Sequence, residues 1–311
     1  MSEANPQAPL SILIITYNRL EDTLLLLKNL LLQQQFDTVV HEVLLLNNNS
    51  SDDYSDLEKF IALHPQLKIK YFNHHENLGV ARGRNFLIPK AQAPYLLVID
   101  DDMEFEDKEA MIKLSGLLDQ AFFKEHNTAL VTFGVFYFEN KERQLSAFPH
   151  KVYDEFLPQK QFLTYYFAGG AHVVRRDLFD TIGLYTEDFF YGMEEYDLSY
   201  RILSAGFTIG YDDSVAVLHK ESPVGRMPNK QKLAMLWLNK SKVAWRYLPK
   251  KYFFSTALMW SLQFLKQTRY DFKSWIKTFR SIFQIQKTEK RNPITPTVMT
   301  YLKNVKARLW Y

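Results

Sequence analysis

Tyr95-Leu96-Leu97-Val98-Ile99-Asp100-Asp101-Asp102 is the stretch whose reading decides the fold. Five apolar residues bounded by polar ones read as a buried strand of a parallel sheet. Open α/β sheets bind their ligands just beyond the carboxyl ends of such strands. Alternate side chains of an extended backbone share a face, so Asp100 and Asp102 are expected to point together and Asp101 elsewhere. Two carboxylates converging there repel each other unless a cation lies between them, and hard oxygen ligands suit Mg2+ or Mn2+. A solvated acidic turn is the plainer alternative for an isolated run of this kind.

Upstream, strand and helix signals alternate. Ser11–Thr16, Val39–Leu46 and Leu67–Phe72 read as strands, and Leu20–Gln34, Asp56–Leu63 and Val80–Lys90 as helices. This alternation argues for a Rossmann-like α/β fold, a mostly parallel sheet flanked by helices. No G-x-G-x-x-G follows the first strand, so dinucleotide binding has no support. Downstream, a helix is expected over Asp107–Phe123, a strand over Ala129–Phe138 and an irregular excursion over 139–161. A Gly-containing strand over Phe167–Val174, a helix over Glu194–Ala205 and a strand over Thr208–Leu218 follow, and the chain is helical from about Met227.

Zero cysteines exclude disulfides and thiolate metal sites. The N-terminus has no basic segment leading into an apolar core, so no secretory signal is expected. The net charge of +3 hides an asymmetry. Residues 1–219 hold 18 Lys and Arg against 32 Asp and Glu, whereas 220–311 hold 20 against 3 and all five tryptophans. Such a basic, aromatic C-terminal region suits an anionic surface. Its longest weakly polar run, residues 252–265, is short of the ~20 residues that span a bilayer. Lysines and arginines flank that run, the composition of helices lying in a membrane interface. Membrane contact is the preferred reading, ordinary helical packing the second, and nucleic acid is set aside.

A second acidic cluster, Glu194-Glu195-Tyr196-Asp197, opens the helix EEYDLSYRILSAG. Acidic residues are favoured at a helix N-terminus by the dipole alone. A carboxylate there also serves as a general base if burial raises its pKa.

Six motifs now stand in order: ITYNR (15–19), NNNSSDD (47–53), ENLGVARGRN (76–85), IDDDMEF (99–105), FAGGAHVVRR (167–176) and GLYTEDFFYGMEEYDLSYRILSAGF (183–207). The set resembles an inverting, nucleotide-sugar glycosyltransferase of family 2 with the GT-A fold. The similarity is greatest to bacterial enzymes of capsule and lipopolysaccharide synthesis, including rhamnosyl- and galactofuranosyltransferases. The resemblance implies a catalytic unit over residues 1–226, with a nucleotide-sugar half to about 105 and an acceptor half over 106–226. Residues 227–311 then form the helical basic extension.

It also implies residue roles. Thr16, Tyr17 and Arg19 would wrap the base and ribose. Asn47 stands where the family usually has an aspartate facing the uracil or thymine ring. Arg84, with Asn85 beside it, would meet the nucleotide, and Asp100 and Asp101 would lie on the donor side. Asp102 would bind the divalent metal, Mn2+ or Mg2+, and His219 would complete that site. Glu195 would be the catalytic base, with Glu where Asp is commoner, and Glu194 would stand in the acceptor and sugar pocket. Gly169 and Gly170 would let backbone approach the sugar. The implied donor is a UDP- or dTDP-sugar and the acceptor a glycan or lipid-linked glycan. The implied location is cytoplasmic, on the inner face of the cytoplasmic membrane. Because every motif precedes Pro228, cutting the chain there is expected to leave donor binding intact, the competing outcome being insoluble protein if the tail helices cover the core. Two rivals are a non-catalytic glycan-binding or scaffold protein of the same fold, and a sugar-nucleotide pyrophosphorylase, which would carry a Gly-rich phosphate loop.

Overall fold

A nine-stranded sheet organises the chain up to His219 in the computed structural model, which describes residues 8–221 and 229–310. The unit boundary expected at 226 and 227 lies outside the described residues. The chain runs β1 (Leu10–Thr16), α1 (Leu20–Leu31), α2 (Phe36–Val39), β2 (Val40–Asn47), α3 (Ser55–Leu63), β3 (Ile69–Asn73), α4 (Gly79–Leu87), β4 (Tyr95–Ile99) and β5 (Met103–Phe105). It continues through α5 (Ala110–Ser115), α6 (Ala121–Glu125), β6 (Thr128–Tyr137), α7 (Tyr153–Phe156), β7 (Gln161–Thr164), β8 (Ala171–Arg175), α8 (Leu178–Ile182), α9 (Glu194–Ser204) and β9 (Thr208–His219). The C-terminal region forms α10 (Asn229–Tyr247), α11 (Lys250–Gln267), α12 (Phe272–Thr288) and α13 (Pro296–Asn304).

The sheet order is β3-β2-β1-β4-β8-β6-β9-β5, with β7 also on β9. The block β3-β2-β1-β4 is wholly parallel. Beyond it β8 is antiparallel to β4 and β6, β9 is parallel to β6, and β5 and β7 are antiparallel to β9. From β1 the chain builds outward through β2 and β3, then returns to place β4 on the other side. That reversal opens a crevice beyond the carboxyl ends of β1 and β4, where doubly wound sheets bind ligands.

Strand periodicity sorts the apolar residues onto two faces. Leu10, Ile12 and Ile14 of β1, Val43 and Leu45 of β2, and Leu97 and Ile99 of β4 enter one core. Leu13, Leu44, Leu46, Leu96 and Val98 enter the core on the opposite face. The helix expected over Asp107–Phe123 is broken at Gly116 into α5, a 3-10 turn and α6. The excursion over 139–161 contains α7 and opens β7. The strand expected from Phe167 begins at Ala171, because Gly169 and Gly170 form a turn.

A third core joins the C-terminal helices to the sheet unit. Trp237, Trp245, Tyr247, Phe253, Phe264, Ile282 and Leu302 pack with Tyr165, Tyr166, Phe189, Met193 and Tyr200. Much of the tail's aromatic content is therefore interior. Lys242 and Arg246, two of the cations flanking the weakly polar run, turn inward onto Asp188 and Glu289. Truncation near Pro228 would strip a shared core, which favours the insoluble outcome over a fragment that still binds donor.

Candidate functional site

Asp100, Asp101 and Asp102 leave β4 in a turn closed by the Met103 amide donating to the Asp100 carbonyl at 3.2 Å. The turn replaces the extended alternation expected from the sequence and re-sorts the three carboxylates. Asp101 Oδ1 and Asp102 Oδ2 both take Arg19 Nη1, at 3.0 and 3.1 Å. Asp100 points the other way, 3.8 Å from Arg84 Nη2. Asp101 is buried deeply enough that its carboxyl is pushed up to about 7, despite the opposing charge of Arg19.

Arg84 projects from α4 into the interior, and its Nη2 donates to the Gly169 carbonyl at 2.8 Å. Its Nη1 lies 3.7 Å from Glu195 Oε1 and has no hydrogen-bond partner among the described residues. One guanidinium thus faces two carboxylates brought from β4 and from the first turn of α9. Gly169 and Gly170 make this possible. A Cβ on Gly169 would collide with the Glu195 carboxylate, and one on Gly170 with that of Asp100. Here the glycines admit two carboxylates, where the family likeness expected an approach to the sugar.

Glu194 and Glu195 are both raised. Burial lifts Glu194 to about 8, reinforced by the charge of Glu195. Glu195 is raised first by burial, and Arg84 opposes the rise. Glu194 Oε2 is buried with no hydrogen-bond partner, which suits the protonated form.

His219 ends β9 opposite Met103 of β5, and this register brings its Nε2 to 3.3 Å from Asp102 Oδ1. Its Nδ1 lies 2.8 Å from Gln144 Oε1, while Gln144 Nε2 donates to Glu221 at 2.7 Å. Because Glu221 fixes the amide orientation, Nδ1 carries the proton toward Gln144 and Nε2 faces Asp102. No group of three or more His, Cys, Asp or Glu among the described residues is arranged to hold a metal.

A cavity of about 630 Å³ opens over these groups, floored by Leu13, Ile15 and Val98. Its walls include Tyr17, Arg19, Arg84, Asp100, Asp101, Asp102 and His219. Thr16, Asn47, Gly169, Gly170, Glu194 and Glu195 are not in that wall. Thr16 Oγ1 is bonded to Tyr54 and Thr23, and the Asn47 side chain to Tyr71 and the Ser50 amide. The neighbouring Asn48 does line the cavity, and its Oδ1 accepts from the Leu78 amide at 2.9 Å. Asn85 clamps residue 185 through two backbone bonds. Sequence reasoning also missed Asn77, Gln144 and Lys232, whereas Phe190 and Tyr191 lie in the aromatic, Gly-bearing stretch 188–193, whose composition suits a pocket wall. Lys232 comes from α10, and nothing local in the basic tail marks it out.

The family model described as glycosyl transferase family 2 matches residues 11–183, more than half of the chain. An uncharacterized protein of Haemophilus influenzae is 32% identical over 123 residues, 39% of this chain and 63% of that protein. The chain therefore spans less than two thirds of that relative's length. Among solved structures, GalNAc-T7 with UDP, GalNAc and Mn2+ aligns with a TM-score of 0.65 at 16% identity, over 94% of this chain and 60% of that one. TarS 1-349 of S. aureus in complex with UDP-GlcNAc gives 0.60 at 15%, over 89% and 81%. The mannosyltransferase PcManGT of Pyrobaculum calidifontis, with GDP-Man and Mn2+, gives 0.59 at 13%, over 97% and 81%. At these identities the likeness is one of fold, the GT-A architecture.

Proposed function

The chain belongs to glycosyl transferase family 2, and on that premise we propose that it moves a sugar from a nucleoside diphosphate to an acceptor hydroxyl, with inversion. The observation that carries this reading is Arg84, a buried guanidinium between Asp100 and Glu195 with a spare N–H, at the crevice where the strand order reverses. A fork of donors of this kind matches diphosphate oxygens. Glu195, whose side chain is 20% exposed, takes the proton from the acceptor hydroxyl as it attacks the sugar carbon opposite the leaving diphosphate. Glu194 keeps its proton and so leaves the negative charge to Glu195. No covalent sugar–enzyme intermediate forms.

Asp102 Oδ1 and His219 Nε2 are a carboxylate oxygen and an imidazole nitrogen at 3.3 Å. This donor pair fits Mn2+ or Mg2+, which commonly draw their other ligands from substrate phosphate and water. When bound, such an ion would offset charge building on the diphosphate. Arg19 holds Asp101 and the far oxygen of Asp102, and so orients the near one.

The proposed acceptor is a glycan or lipid-linked glycan of bacterial surface polysaccharide, met at an anionic membrane face. No described helix is long and apolar enough to cross a membrane. Support comes from the outer surface of the tail. Phe254, Leu258 and Leu262 form an exposed stripe on α11 at four-residue spacing, and Phe272, Ile276 and Phe283 are exposed on α12. Trp275 of α12 donates to Ser261 of α11 at 2.8 Å, which joins the two helices. Lys266, Arg269, Lys273, Lys277 and Arg280 are exposed around them, as in interfacial helices.

The test is release of nucleoside diphosphate from UDP-, dTDP- and GDP-sugars, with the anomer of the product read by NMR. One donor class should turn over with inversion, and chelation should stop it. Asp102→Ala and His219→Ala should each blunt the metal titration. A protein that binds none of UDP, dTDP and GDP would overturn the reading. Binding to anionic vesicles should weaken with salt and with Leu258→Glu; indifference to such vesicles at low salt removes the membrane partner.

A further inference from the structure

We propose that helix α10 is a working part of the site, with Asn239 and Arg246 as positioning residues that set the loop presenting Glu195. The inference rests on the reading of Glu195 as the base. The loop, residues 188–193, belongs to neither helix nor strand and ends in two consecutive left-handed residues, Gly192 at φ 77° and Met193 at φ 78°. Met193 directly precedes α9 and its pair of glutamates. A non-glycine residue in that conformation is strained and persists only where its surroundings impose it.

Helix α10 supplies those surroundings. The buried Asn239 amide spends its N–H donors on two successive carbonyls of the strained turn, Tyr191 at 3.0 Å and Gly192 at 3.1 Å. The approach is so close that a Cβ on Gly192 would lie 2.7 Å from Leu236 Cδ2. At the loop's start, Arg246 Nη2 and Lys242 Nζ reach Asp188 at 2.6 and 2.7 Å. At its end, Arg246 Nη1 reaches Asp197 of α9 at 3.2 Å, and Tyr247 donates to the same oxygen at 2.8 Å. Arg246 therefore ties both ends of the loop to one guanidinium, and Glu289 fixes that guanidinium from the end of α12 at 2.6 Å. Met193 and Phe189 are buried in the core built by the tail. Of the groups that place Glu195, Arg84 and Gly169 come from the sheet unit, and the backbone setting comes from α10.

The experiment uses the full chain, and binding of UDP, dTDP and GDP by the wild type is measured first. Asn239→Ala should lower kcat about 10²-fold, the scale of a misplacement of about 1 Å, with donor KM changed less than about 3-fold. Amide exchange over 188–195 should quicken while the sheet strands stay protected. Arg246→Lys should retain more turnover than Arg246→Met, because it keeps the cation. Tyr247→Phe, which removes a single hydroxyl, is the milder variant should Asn239→Ala not fold, and its kcat should fall with KM held. Wild-type kcat and unchanged exchange over 188–195 in a folded Asn239→Ala or Tyr247→Phe protein would overturn the inference. A wild type that binds no nucleotide would overturn the transferase reading instead.

Discussion

Glu194 and Glu195 are sequence neighbours in the first turn of α9, yet only Glu195 faces a cation. Glu195→Gln keeps the shape and loses the proton acceptor, so turnover should fall ~10²–10⁴-fold while donor binding holds. If Glu194→Gln proved the crippled variant instead, the base would be misassigned by one residue. Glu194 also shapes stability. Its folded pKa of about 8 lies above a glutamate's ordinary 4.5, so the folded state keeps a proton that the unfolded chain releases between those pH values. Stability drains away as pH rises through that window. Glu194→Gln should therefore gain in Tm relative to wild type from pH 5 to pH 8; parallel Tm curves would show that Glu194 ionises normally. Gly170→Ala tests the crowding at Asp100. Its Cβ must displace the Asp100 carboxylate, a flexible end group, so donor affinity should drop far more than Tm. Unchanged donor affinity would remove Asp100 from the donor side.

Among the elements, β9 and α10 do the most to assemble the site. β9 pairs with β6, β7 and β5, and its last residue brings His219 beside Asp102. α10 is held by Trp237, fully buried, whose Nε1 donates to the Ala257 carbonyl of α11 at 3.0 Å. Trp237→Ala should cost about 3–5 kcal/mol in denaturant unfolding, whereas Leu258→Ala on the exposed stripe should stay within about 0.5 kcal/mol. Equal costs would mean that the stripe is covered by protein.

For the whole molecule, the acidic sheet unit and basic tail meet partly as ion pairs, through Arg246, Lys242 and the Lys306–Glu155 pair. Lys266, Arg269, Lys273, Lys277 and Arg280 face outward on and between α11 and α12. Truncation near Pro228 should yield insoluble protein, because it uncovers Tyr165, Tyr166, Phe189, Met193 and Tyr200 together. A soluble fragment that binds UDP, dTDP or GDP would show that the sheet unit folds without the tail.

The sequence by itself determined most of the strands, β5 and β7 apart, their inward faces and the order of the motifs. Those are local properties: Leu10, Ile12 and Ile14 alternate with Leu13 at the two-residue period of a strand, and Asp100–Asp102 follow β4 directly. The likeness of the motif set likewise pointed to the family that the comparisons support. Tertiary structure alone decided which carboxylate meets which cation. Arg19 reaches Asp101 across 82 residues, Arg84 reaches Gly169 across 85, and Asn239 reaches Tyr191 across 48. It also put Asn48 rather than Asn47 at the cavity and made much of the tail's aromatic content interior. Contacts over such separations leave no periodic trace in the chain, because they depend on how strands register and helices pack, and a turn of one residue redirects a side chain.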